Sequence, residues 1–109
     1  MAEKDQALVQ KTLSGDRSAF GDLVERYARL VRGVVWEAIR QPDEVEDLVQ
    51  ETFCRAYQQL SSLRHPQKFA SWLWQIAANT AVDHQRQRQK LAAGAAGQSA
   101  DLSLYLRRP

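Results

Sequence analysis

Apolar residues recur along this chain at intervals of three and four, the repeat of one face of an α-helix. The strongest run is Phe20, Leu23, Val24, Tyr27, Val31, Val34, Val35, Ala38 and Ile39, with Glu25, Arg26, Arg29, Arg32 and Glu37 filling much of the remainder. It predicts a long helix reaching Arg40. Ahead of it, Leu8, Val9 and Leu13 offer one apolar edge for a short helix over residues 1–13. Ser14-Gly15-Asp16 separates the two: the glycine can adopt a left-handed cap, and Asp16 or Ser18 can cap the helix that follows. Gly33, inside the long run, is either a weakness worth up to ~1 kcal/mol against alanine or a close-packing point.

Gln41-Pro42-Asp43 is a break, because proline disfavours helical geometry in the residue before it. Asp43 and Glu46 have the spacing of a capping box, and Glu44 adds negative charge suited to a helix N-terminus. Val45, Leu48, Val49, Phe53, Ala56, Tyr57 and Leu60 then trace the buried face of a helix ending near Leu60. Glu44, Asp47, Gln50, Glu51 and Gln58 trace its exposed face. Ser61 to Lys68 reads as a polar loop. From Phe69 the pattern returns as Phe69, Trp72, Leu73, Ile76 and Ala77, and then turns polar and basic through Asn79, Thr80, Asp83, His84, Arg86, Arg88 and Lys90. This is one helix, anchored in a core at its start and running out as a basic rod near Leu91.

Residues 92–99 have small-residue linker composition. Leu102, Leu104, Tyr105 and Leu106 are too few to form a domain, though they can dock as a brief helix. The expected fold is all-α: a compact bundle of three main helices plus a short N-terminal helix, with a flexible C-terminal linker. The expected division is a helical domain at 1–91 and a linker or tail at 92–109. A length of 109 residues suits one core, and five glycines with three prolines leave little room for the turns of an all-β protein.

Charge sharpens this picture. The net charge is +2, but residues 1–63 hold eight Lys/Arg against eleven Asp/Glu, and residues 64–109 hold seven against two. Such asymmetry fits an acidic face for one partner and a basic face for another, or two solvated faces of a bundle. The single cysteine, Cys54, excludes an intramolecular disulfide and any multi-cysteine metal site. The polar N-terminus has no signal-peptide core and no run approaches a membrane span, so the expected location is the cytoplasm, without membrane contact.

Catalytic chemistry finds little footing. Cys54 borders the predicted buried stripe and reads as a packing residue. Asp83 and His84 are adjacent on a helix and do not readily face one another. Asp47 and Glu51, one turn apart, make a poor cation site by themselves. No glycine-rich phosphate loop is present. Neither a cofactor, a metal nor an enzymatic activity is expected. Nucleic acid is better served: Arg64 and Lys68 with Arg86, Arg88 and Lys90 form a candidate path for phosphates. Trp72 and Trp74 point roughly 200° apart around a helix, so one packs inward while the other meets another element or offers a stacking face. Asn79 and Thr80 add hydrogen-bonding groups suited to base edges. The competing reading puts both tryptophans in a broad core and leaves the basic tail as a solvated helix end.

The residues also carry a resemblance. Asp47-Leu48-Val49-Gln50-Glu51-Thr52-Phe53 with Arg55-Ala56-Tyr57 resembles the signature of region 2 of bacterial RNA polymerase sigma factors, nearest to the extracytoplasmic-function class. Phe69-Ala70-Ser71-Trp72-Leu73, Ile76-Ala77-Ala78-Asn79, Asp83 and the Arg86-Arg88 run resemble its second half. Gly15-Asp16, Ala19-Phe20 and Leu23-Val24 resemble its beginning. The resemblance spans roughly residues 5–91.

It implies that the Asp43–Leu60 helix docks on the clamp helices of the largest subunit of core RNA polymerase through Asp47, Gln50 and Glu51, with Phe53 and Ala56 packing close by. It further implies that the loop from Ser61 to Ser71, with Arg64, His65 and Lys68, captures a base flipped from the non-template strand of the promoter −10 element. Asn79 would help form that pocket and Trp74 would support strand separation, while Arg86, Arg88 and Lys90 hold phosphates. Gln75 stands where many relatives carry a basic residue. A complete member of this group carries a second helix-turn-helix domain after the linker. Without it, the alternative expectation is a sigma-like module held by an anti-sigma regulator and initiating nothing itself.

Overall fold

The computed structural model describes residues 2–97 as four α-helices: α1 (Ala2–Leu13), α2 (Arg17–Ile39), α3 (Pro42–Gln59) and α4 (Phe69–Gly97). Two short 3-10 turns, Leu60–Ser62 and Pro66–Lys68, join α3 to α4. The all-α bundle is thus as the periodicity predicts. α2 is its centre and packs against all three other helices; α3 packs against α4, and α1 also packs against the Pro66–Lys68 turn. The expected brief helix around Leu102–Leu106 lies outside the described residues.

The junctions follow local chemistry. Gly15 has φ +108, a conformation that favours glycine. Asp16 caps α2, its Oδ1 accepting from the Ser18 and Ala19 amides at 3.0 and 3.3 Å and from the Ser18 hydroxyl at 2.6 Å. That Ser18 hydroxyl bond, with the backbone amides, holds the Asp16 carboxyl below its ordinary value. At the far end of α2, Arg40 takes the left-handed conformation and its amide bonds Trp36 O. The capping box expected at α3 does not form. Pro42 occupies the first turn and makes Gln41 the cap residue, without a side-chain cap bond. Glu46 instead binds Arg32 of α2 at 2.9 and 3.1 Å.

The core is built from Leu23, Val31 and Val35 of α2, Val45, Leu48, Val49, Phe53 and Ala56 of α3, and Phe69, Leu73, Ile76 and Ala77 of α4. Val9 joins it from α1 and Leu60 from the first turn. Several positions depart from expectation. Leu13 is exposed while Thr12 is buried, bonding Leu8 O at 2.8 Å. Tyr57 is exposed and meets Phe20 edge-on at 5.0 Å. Cys54 is exposed rather than packed, and Thr52 takes the inward place, its hydroxyl bonded to Leu48 O. A methyl group added at Gly33 would meet nothing within 4 Å, so this glycine is not a close-packing point. α4 runs on to Gly97, past the Leu91 boundary read from composition, because alanine is a good helix former.

Candidate nucleic-acid interface

α3 presents its polar strip to solvent: Asp47, Gln50 and Glu51 are exposed, while Phe53 and Ala56 lie buried beneath them. Glu51 binds Arg55 at 3.0 Å, and Arg55 reaches Asp83 of α4 at 2.9 Å. The hydrogen bonds it donates, to Asp83 first and then to Glu51, raise the Arg55 guanidinium above its ordinary value and hold it cationic. The strip is therefore tied to α4 through one arginine. At the beginning of α3 a shallow groove is lined by Arg32, Trp36, Pro42, Asp43, Glu46 and Asp47.

A second tie joins the start of α3 to the basic half of α4. His84 Nε2 donates to Glu44 Oε1 at 2.6 Å, and Arg88 Nη1 donates to both Glu44 oxygens at 3.0 and 3.1 Å. Gln85 Nε2 donates to Ala38 O at the end of α2, 2.8 Å away. The adjacent pair Asp83–His84 thus splits between two α3 partners, as neighbours on a helix must. Its consequence for the expected phosphate path is direct: Arg86, Arg88 and Lys90 are all exposed, but Arg88 is already paired with an acid of its own chain.

The two tryptophans also separate. Trp72 is half-buried with its ring 5.7 Å from Phe69, and Trp74 is 47% exposed. At 100° per residue, Ser71, Trp74, Ala78, Asn79, Val82 and Arg86 fall within roughly a 140° arc of α4, opposite its buried Leu73 and Thr80. Asn79 is exposed on that arc. Thr80, expected to offer a hydrogen bond to a base edge, does not reach it. It is 1% exposed and its hydroxyl donates to Ile76 O at 2.7 Å. In the loop that leads into α4, Arg64, His65 and Lys68 are exposed. The loop is shaped by Pro66 at the start of its second turn, by the Lys68 amide bonding His65 O at 2.8 Å, and by the Ser71 hydroxyl bonding Lys68 O at 3.2 Å.

One cluster escaped the sequence reading. Asp5 of α1 is buried, paired with Arg26 at 3.2 Å and hydrogen-bonded by the Tyr27 hydroxyl. Burial first, and the Asp5 carboxylate second, push the Tyr27 phenol up to about 12. The only signal for it was an acid standing four residues before Val9, on the apolar edge of a short helix. Among the described residues no group of three or more His, Cys, Asp or Glu is arranged to hold a metal ion, and no helix is long and apolar enough to cross a membrane.

Comparison with known proteins gives the family and the fold. The Sigma-70 region 2 family model matches residues 23–91. The chain is 42% identical over 86 residues to the ECF RNA polymerase sigma-E factor of Haemophilus influenzae, covering 77% of this chain and 45% of that one. It is 38% identical over 82 residues to the RNA polymerase sigma-H factor of Pseudomonas aeruginosa, covering 75% and 42%. The chain thus spans less than half the length of these curated relatives. The fold is similar to the NMR structure of the complex formed by an engineered region 2 of sigmaE with GTAAAA. The TM-score is 0.71 at 37% identity, covering 89% of this chain and 94% of that one.

Proposed function

The chain belongs to the Sigma-70 region 2 family, and from that premise we propose that it docks on core RNA polymerase and recognises and helps melt the promoter −10 element. It contributes binding energy rather than bond chemistry, and it acts in the cytoplasm, where the polymerase is. The functional domain is residues 1–91, with α4 continuing beyond it to Gly97.

The mechanism runs through two faces. Asp47, Gln50 and Glu51 meet the clamp helices of the largest subunit, over a floor of buried Phe53 and Ala56. Docking orients α4 and the adjoining loop toward the separated non-template strand. Arg64, His65, Lys68 and Ser71 frame a pocket for one flipped base, and Asn79 supplies an amide to its edge. Unpairing a base costs on the order of a few kcal/mol, so a stacking surface has to hold it out; the exposed Trp74 indole supplies one. Arg86 and Lys90 neutralise phosphates, which position the strand without reading it.

The observation that carries this reading is the shared exposed arc of Trp74, Asn79 and Arg86 on the helix that follows the basic loop, in a fold similar to a region 2 bound to GTAAAA. The test is binding of this chain to a single-stranded GTAAAA oligonucleotide at fixed salt, with and without isolated clamp helices. Trp74→Ala and Asn79→Ala are expected to weaken oligonucleotide binding and open-complex formation while leaving clamp-helix binding intact. Asp47→Ala and Gln50→Ala are expected to do the reverse. Normal promoter melting by the first pair would overturn the base-pocket assignment, and unchanged clamp affinity in the second pair would overturn the docking assignment.

A further inference from the structure

The base-capture loop does not rest on α4 alone. α1 packs against the Pro66–Lys68 turn as well as against α2, and it buries a carboxylate in doing so, Asp5 being 2% exposed. An unpaired carboxylate would be costly there, and two α2 side chains hold it. Arg26 Nε lies 3.2 Å from Oδ1, and the Tyr27 hydroxyl donates to Oδ2. The Tyr27 ring in turn lies 5.5 Å from the ring of Phe69. Phe69 is fully buried and is the first residue of α4, directly after the turn.

Contact is therefore continuous from α1, through Asp5 and Tyr27, to the residue that anchors the downstream end of the loop. Val9, one helical turn beyond Asp5 on the same face, is fully buried beside it. Apolar contacts alone would let a short helix roll or slide. A carboxylate held by the directional Tyr27 hydrogen bond, with the Arg26 ion pair beside it, fixes its rotation and register.

We infer that Asp5 is a positioning residue: through Tyr27 and Phe69, α1 holds the loop at residues 64–68 in the shape that receives the −10 base. The N-terminal helix, which precedes the residues 23–91 matched by the family model, thereby supports base binding without touching DNA. This rests on the reading above that the loop captures a flipped base.

The test uses the intact chain with Asp5→Asn and Tyr27→Phe, the second keeping the ring against Phe69 and removing only the hydroxyl. Each is expected to weaken GTAAAA binding roughly fivefold to tenfold, as the loss of one buried hydrogen bond would. Clamp-helix affinity should stay unchanged, and amide exchange at residues 64–68 should accelerate. Val35→Ala, two turns further along α2, serves as the control for a general loss of stability and should leave oligonucleotide affinity unchanged while folded. Unaltered exchange at 64–68 in both variants would overturn the inference, and so would an equal loss of affinity in Val35→Ala. If Asp5→Asn does not fold, Tyr27→Phe carries the comparison. If Trp74→Ala and Asn79→Ala leave oligonucleotide binding unaffected, the base-capture reading fails, and exchange at 64–68 still decides whether α1 holds the loop.

Discussion

At single residues, the deciding question is which polar groups are already spent within the chain. Thr80 and Asn79 are neighbours with similar hydrogen-bonding capacity, yet the Thr80 hydroxyl is bonded to Ile76 O while the Asn79 side chain stands in solvent. Arg86 and Arg88 differ in the same way, since only Arg88 is held by Glu44. Each phosphate neutralised on a single strand contributes about −0.7 to the slope of log affinity against log salt. Arg86→Ala is therefore expected to reduce the slope by about that amount, and Arg88→Ala to change it far less, as measured by oligonucleotide titration across salt concentrations. Tyr27 makes a second residue-scale prediction. Its phenol is raised from an ordinary 10.0 to about 12, so its folded, neutral form contributes stability below pH 10 that is lost as the pH rises toward 12. Thermal melts from pH 9 to pH 12 should fall more steeply for the natural chain than for Tyr27→Phe.

At the scale of elements, α4 is two helices in one. Its first half is anchored by Phe69, Leu73, Ile76 and Ala77; its second half is held by the side-chain bonds of Asp83, His84, Gln85 and Arg88. Partly exposed ion pairs of this kind are worth about 0–1 kcal/mol, so the second half is held lightly. Glu44→Gln is expected to leave global stability nearly unchanged, speed amide exchange over residues 84–93, and release Arg88 to phosphate. Oligonucleotide affinity at low salt should rise, with a salt slope steeper by about 0.7. An unchanged slope would mean that Arg88 stays away from DNA even when freed.

Across the whole molecule, the acidic and basic faces meet through Arg55, which joins the Glu51 of the proposed docking strip to Asp83 of α4. Phe69 holds the common centre: it is fully buried, contacts Tyr27 and Trp72, and begins the helix proposed to meet DNA. Phe69→Ala is expected to cost about 3–5 kcal/mol, a large share of the roughly 5–15 kcal/mol that holds a typical domain together. Urea unfolding should show a lower midpoint with a similar slope.

Periodicity and punctuation were enough by themselves to determine helix number and order, and the ends marked by Gly15 and Pro42, because a 3.6-residue repeat and such a breaker act over a single turn; the far end of α4, with no such breaker, was not determined. Most of the buried face of α3 was legible for the same reason, from Val45 to Ala56, although Thr52 took an inward place that the pattern gave to no polar residue and Tyr57 came out exposed. So was the separation of Trp72 from Trp74, since residues two apart on a helix cannot share a face. What only the tertiary structure decided were the partnerships between helices: Asp5 with Arg26 and Tyr27, Arg55 with Asp83, and Glu44 with His84 and Arg88. Each joins residues at least 21 positions apart in the chain, at distances set by how the helices cross. Local pattern has no access to that crossing. It is why the run Arg86, Arg88 and Lys90 reads as one basic rail in the sequence, while in the folded chain Arg88 is paired at the surface with an acid of α3.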